Sequence, residues 1–228
     1  ELAALSAKLF QEGELAGLNF VITGGPTREA IDPIRFITNH SSGKMAYALS
    51  AEAANAGAKV TLISGPVNLA TPDSITKIDV ETANEMLKAV MSCIANADVF
   101  IGVAAVADYR PIATAREKIK KSKDHIDLKL VKNPDIISEV VKLKNKPFVA
   151  GFAAETSSII ENGRKKLEHK KLDLLFANNA TDTFNSDSIS ATVIGPEVEQ
   201  EILPGNKNVV AREMLKFISK GLKIKNTK

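Results

Sequence analysis

Short apolar runs alternate along the chain with segments of helical spacing, and that alternation sets the expected fold. Strand-like runs occupy Leu18–Thr23, Ala58–Ser64, Thr76–Val80, Asp98–Ala104, Pro147–Gly151 and Leu172–Ala177. Several are apolar nearly throughout, as in strands covered on both faces of a parallel sheet. Between them, Gly43–Ala56, Ala83–Ala95, Pro134–Leu143 and Ser158–His169 have helical composition and spacing. The order βαβα predicts an α/β protein with a Rossmann-like, doubly wound parallel sheet.

Two stretches break the alternation. Ala105 to Lys132 is long and polar, carries Lys118-Ile-Lys-Lys121, and ends in the alternating Ile126–Val131. A connection of that length in a compact domain is usually functional or disordered, so it predicts a long flap. Ser188–Leu203 reads as two strands around Gly195-Pro196, which would add an antiparallel hairpin at the sheet edge. A closing helix, Asn208–Leu222, follows, and Glu1–Gly17 reads as a short helical lead-in.

Composition narrows the function. Apolar residues at 44% and charged residues at 25% are ordinary globular values, and 228 residues can bury a core as one large domain. The net charge of +3 is too small a surplus to suggest nucleic acid, and several lysines crowd the last eight residues. A single cysteine, Cys93, allows neither a disulfide framework nor a cysteine metal cluster within the chain. No apolar run approaches the roughly 18 residues of a membrane span, and no signal pattern opens the sequence. The expectation is a cytoplasmic protein that binds neither nucleic acid nor membrane.

The candidate chemistry lies where open α/β sheets bind ligands, at the carboxyl ends of strands. After the first run comes Thr23-Gly24-Gly25-Pro26-Thr27-Arg28. Two glycines let the backbone approach a phosphate, and the hydroxyls and guanidinium can donate to it; the same residues also make a plain turn. His40-Ser41-Ser42-Gly43-Lys44-Met45 lacks the upstream glycine and following hydroxyl of a P-loop. Ser41, Ser42 and Gly43 nevertheless stand where a helix begins, which fits either an anion site or an ordinary serine N-cap. There is no G-x-G-x-x-G, and the second major run ends Ile63-Ser64-Gly65-Pro66 without a ribose-binding acid, which argues against a dinucleotide dehydrogenase. No two of His40, His125 and His169 have metal-ligand spacing, and no G-x-S-x-G elbow is present. A non-catalytic nucleotide module would keep the glycine loop but would have no use for a lysine-bearing flap.

Five segments together, Ile37–Met45, Ala104–Arg110, Lys118–Lys121, Val131–Ile136 and Gly151–Thr156, closely resemble the phosphopantothenoylcysteine synthetase family. In many bacteria that enzyme is the carboxyl-terminal half of a bifunctional coenzyme A biosynthesis protein. The resemblance runs from about Leu18 to about Leu222. It implies a ligase joining 4′-phosphopantothenate to L-cysteine, with CTP consumed to CMP and pyrophosphate through an acyl-cytidylate. It also implies Mg²⁺ with the CTP, a homodimer, and fusion to a flavin-dependent decarboxylase, residues 1–17 being the linker from that missing domain and 18–228 the synthetase domain.

Residue by residue, Asn39 matches the asparagine that handles the acyl-cytidylate, and Lys118 the flap lysine needed to form it. Gly102, Val103, Ala104, Asp108, Asn133, Pro134, Asp135, Ile136, Phe152, Lys166 and Lys170 match nucleotide-contacting positions, with Lys118 among them. Gly24, Gly25, Ser41, Ser42 and Gly43 are assigned with Asn39 to the acid substrate. Lys166 and Lys170, four apart, share one helix face and suit a triphosphate, although a solvated basic stripe has the same spacing. Asp108 suits Mg²⁺, a ribose hydroxyl or a turn. The chain departs from the family pattern at Ala46-Tyr47, where a glycine commonly follows the methionine, and at Ser157-Ser158, where Asn is common.

Overall fold

The computed structural model describes residues 13–120, 125–155, 158–179 and 188–226. Its centre is an eight-stranded sheet in the order β12-β11-β10-β9-β6-β1-β4-β5. Six strands run parallel: β1 (Asn19–Gly24), β4 (Lys59–Ser64), β5 (Thr76–Asp79), β6 (Val99–Gly102), β9 (Phe148–Glu155) and β10 (Leu174–Asn179). β11 (Ser188–Ile194) and β12 (Glu199–Asn206) complete one edge as an antiparallel hairpin, with a register shift between Ile189 and Ala191.

The apolar runs form central strands because both of their faces are covered. Phe20 and Ile22 of β1 join Leu62, Phe176 and Ile101 beneath α1 (Lys44–Asn55) and α5 (Lys207–Asn226), whose Leu49 and Met214 are fully buried. Val21, one residue out of phase, joins Ile63, Phe100, Val149 and Leu175 on the opposite face. That face is covered by α2 (Ala83–Cys93), α3 (Ile136–Val141) and α4 (Ile159–His169). Each such side chain contributes roughly 1.5–3 kcal/mol on full burial, so alternate residues of one strand hold the two helical layers to it.

Local signals fix the helix starts. Thr82 and Glu85 form a reciprocal capping box on α2, and the buried carboxylate of Glu29 accepts the Ala83 N–H at 2.9 Å. Asp135 caps α3 by accepting from Ser138 N at 3.1 Å. α5 is tied across the fold by Arg212 Nε to Glu52 of α1 at 2.7 Å. Lys225 Nζ reaches Asp173 at 3.2 Å.

Several expectations need correction. Residues 1–12 lie outside the described residues, and 14–17 form a turn where helix was expected. The segment after β1 is not only a loop: β2 (Arg28–Ala30) and β3 (Phe36–Thr38) pair antiparallel. The flap is likewise rooted in a short pair, β7 (Tyr109–Pro111) with β8 (Leu130–Lys132); Lys121 lies outside the described residues. At the family departures, Tyr47 is buried with its hydroxyl 3.1 Å from Ser64 Oγ, and Ser158 heads α4 at φ +48°. Thr156 and Ser157 are outside the described residues. No helix among the described residues is long and apolar enough to cross a membrane.

Candidate active site

β1, β6, β9 and β10 all present their carboxyl ends to one side of the sheet, where a cleft of about 770 Å³ opens. Its floor is Thr23, Gly102 and Phe152, one residue from each of three adjacent strands. Phe152 stacks obliquely on Phe176, ring centres 5.3 Å apart, and so presents a flat apolar surface with a braced back.

The glycine loop and the start of α1 form one wall. Gly25 and Gly43 are both left-handed, at φ +73° and +74°, and a methyl group on Gly43 would come within 2.9 Å of Val67 and 3.4 Å of the Gly25 Cα. Of the two readings of this segment, the serine N-cap does not form: the residue at the N-cap is Gly43, and no side chain caps α1. Ser41 Oγ instead accepts from Gly43 N at 3.3 Å. The positive end of a 12-residue helix therefore faces the cleft, with Ser41, Ser42, Gly43, Lys44, Met45 and Ala46 lining it.

The opposite wall follows β6. Val103, Ala104, Ala105 and Asp108 line the cleft, and the segment is laced to the β1 loop. Ala105 N donates to Gly25 O at 3.0 Å, Ala107 N to Thr27 Oγ1 at 3.0 Å, and Ala104 N to Thr23 Oγ1 at 3.4 Å. Asn133 locks the far end, its Nδ2 donating to Ala107 O at 2.7 Å and its N–H to Asp108 O at 2.8 Å. Pro134, Asp135 and Ile136 continue the lining into α3.

The charge is mostly positive. Lys44, Lys132, Lys166, Lys170 and Lys207 line the cleft against Asp108 and Asp135, among the described residues. Lys166 Nζ donates to Phe152 O at 3.0 Å, and Lys170 Nζ pairs with Asp135 at 2.8 Å. Burial pushes the Asp135 carboxyl up, but the bonds from Lys170 and the Ser138 N–H outweigh it, and its pKa is lowered. This is an arrangement for polyanions and for developing negative charge on oxygen.

Most expected site residues thus surround one cavity, and three stand outside its lining. Gly24 is packed behind it, with no room for a side chain against Ala46. Asn39 is exposed at the rim, where its Nδ2 donates to the Ala105 carbonyl at 2.8 Å. Lys118 is exposed on the flap. Lys207 and Ile189, which also line the cleft, come from α5 and the edge hairpin, where no local sequence signal marks them. Lys44 and Lys132 sat inside quoted motifs and could have been read as cations.

The model of the DNA/pantothenate metabolism flavoprotein C-terminal domain matches residues 15–222. The chain belongs to this family. It is 47% identical over 224 residues to the coenzyme A biosynthesis bifunctional protein CoaBC of Vibrio vulnificus YJ016, covering 96% of this chain and 56% of that protein. Against CoaBC of Escherichia coli K12 the identity is 52% over 182 residues, 77% of this chain and 45% of that one. The chain therefore spans about half the length of the curated relatives it matches. A crystal structure of the C-terminal domain of CoaBC superposes with a TM-score of 0.80 at 40% identity, covering 92% of this chain and 98% of that domain. A Cab2 mutant in complex with phosphopantothenate-cysteine shares the fold at 14% identity and a TM-score of 0.76.

Proposed function

We propose that this family member is a ligase that joins 4′-phosphopantothenate to L-cysteine, using CTP and passing through an acyl-cytidylate. The observation that supports it most is that the motifs around Ser41, Ala104, Asn133 and Phe152, far apart in sequence, line one lysine-rich cleft.

A carboxylate resists attack by an amine, because its charge repels the nucleophile and oxide is a poor leaving group. Attack of the phosphopantothenate carboxylate on the α-phosphorus of CTP makes a mixed anhydride and expels pyrophosphate. The cysteine amine then adds to the acyl carbon and expels CMP. Lys166 and Lys170 hold the triphosphate, the start of α1 with Ser41 and Ser42 takes the phosphate of the acid, and the Asn39 amide orients the anhydride. Lys118 supplies a positive charge to the transferring phosphoryl group.

Among the described residues, no three His, Cys, Asp or Glu side chains gather to hold a metal by themselves. That fits Mg²⁺, which commonly arrives on nucleotide phosphates and takes one or two carboxylates from the protein. Of the two carboxylates lining the cleft, we assign Asp108 to it, since Asp135 is engaged by Lys170. Bound there, the ion would neutralise phosphate charge during transfer.

We also propose a homodimer, for which the exposed Ile34, Phe36, Ile112, Leu128 and Leu130 of the β2–β3 pair and flap offer the apolar surface. Fusion to a flavin-dependent decarboxylase is the arrangement proposed for the full protein, whose relatives are named bifunctional. The test is incubation with phosphopantothenate, cysteine and each nucleoside triphosphate, following amide, pyrophosphate and monophosphate. CTP should support amide formation far better than ATP. Equal turnover with both, or release of CDP, overturns the reading.

A further inference from the structure

We propose that Asp32 is a positioning residue that fixes the root of Lys118, acting through Arg35 and the Lys118–Ile119 peptide. The inference rests on the role given to Lys118 above.

Asp32 lies in the tight connection between β2 and β3, a place where carboxylates are usually solvated, yet its side chain is completely buried. A buried carboxylate persists only when its lone pairs are occupied. One oxygen, Oδ1, accepts from Ile34 N and Arg35 N, both at 2.9 Å, and shapes the turn. The other, Oδ2, accepts from Arg35 Nε at 3.0 Å and from Arg35 Nη2. It also accepts from Ile119 N at 3.1 Å, 87 residues away in sequence. Arg35 Nη2 completes the arrangement by donating to Ile119 O at 3.0 Å.

Both backbone groups of one flap residue are thus held by a single charged pair. The N–H that Asp32 accepts belongs to the peptide joining Lys118 to Ile119, and that peptide is planar, so fixing it fixes the Lys118 Cα. The lysine side chain itself is exposed, above a backbone held by these bonds. Two further bonds dock the same stretch: Thr114 Oγ1 donates to Ala30 O at 3.1 Å, and Ala115 N to Ile31 O at 3.0 Å.

The dock is itself referenced to the cleft. β3 returns toward it with Thr38 Oγ1 donating to Thr27 O at 2.8 Å, and the next residue, Asn39, is bonded to Ala105 O. One small hairpin therefore carries Asn39 and also holds the backbone of Lys118, which sets the two groups in a common frame. A surface turn needs no buried ion pair for its own geometry; a neutral Asn would serve the two Oδ1 bonds equally well. What the second oxygen and Arg35 add is the grip on Ile119.

The test is Asp32→Asn, which keeps the shape and removes the charge. Amide hydrogen exchange across residues 114–119 should accelerate at least about tenfold. Pyrophosphate release from CTP and phosphopantothenate without cysteine should fall at least about tenfold, while the KM for CTP stays within about twofold. In the Lys118→Gln background, adding Asp32→Asn should lower that rate no further, because Asp32 acts on this step only through Lys118. Parental exchange at Ile119, or losses that multiply in the double variant, would overturn the proposal. If Asp32→Asn does not fold, Thr114→Val removes a contact of exposed Thr114 alone and should loosen the same segment and slow the same step about threefold; no change in either overturns it. Should the parent itself release no pyrophosphate, the ligase reading fails, and the exchange measurement still decides whether Asp32 anchors the flap.

Discussion

Lys166, in the last turn of α4, and Lys170, its C-cap residue, stand one turn apart, and each is already engaged in the cleft wall, the first on the Phe152 carbonyl and the second on Asp135. A solvated basic stripe would not show such contacts. Lys166→Gln and Lys170→Gln should each raise the KM for CTP by an amount equivalent to about 1–3 kcal/mol, the range for a hydrogen bond to a charged group. Steady-state kinetics with varied CTP checks it, and unchanged KM values in both would return the pair to the surface. Asn39 and Lys118 divide differently. Asn39→Asp replaces a donor aimed at the Ala105 carbonyl with a carboxylate that repels it. The variant should still form acyl-cytidylate but convert it to amide about 10²–10³ slower, whereas Lys118→Gln should form none. Mass spectrometry of quenched single turnovers separates the two; intermediate building up in the Lys118 variant contradicts the division.

Elements carry the next level of the site, and the start of α1 shows what the sequence could and could not convey. Ser41-Ser42 before a helical run is the signature of a serine cap, but a left-handed Gly43 takes the N-cap position and leaves the helix end uncapped by side chains. Gly43→Ala would bear the left-handed penalty of about 1–2 kcal/mol and press a methyl into Val67. We expect a lower Tm together with a raised KM for phosphopantothenate. Adding Val67→Ala should relieve the steric part and leave the backbone part. A full recovery of both values would show that φ is not the constraint. The long strands were legible because two buried faces make a run apolar throughout, as in Phe20–Ile22. The β2–β3 and β7–β8 pairs were not, since three-residue strands are too short to show a period, and the bond that docks the flap on the β2–β3 connection, Ile119 N to Asp32, joins residues far apart in sequence.

At the scale of the molecule, the sheet order explains why much of the cleft was still hidden. A run of apolar residues shows that a strand is buried, but not which strand lies beside it, so the convergence of β1, β6, β9 and β10 depends on the crossovers. Lys207 reaches the cleft only because the edge hairpin brings α5 back to it. The same closure makes stability collective, and two carboxylates report on it. The Arg35 guanidinium, with the Ile34 and Ile119 N–H groups, holds the Asp32 carboxyl well below the usual range despite the cost of burial, and Asp135 is lowered as described. A depressed folded-state pKa means that the unfolded chain takes up the proton more readily, so it stabilises above the unfolded value of about 3.9 and is lost as pH falls through the folded one. Between about pH 6 and pH 8 neither carboxylate should alter stability with pH; below about pH 4 both should. Asp32→Asn and Asp135→Asn should therefore lower the urea midpoint at about pH 7, yet each variant should lose less than the parent on acidification to about pH 3. Urea titrations of the three proteins at both pH values measure this, and parallel losses in parent and variants would mean that these two carboxylates do not link the fold to acid.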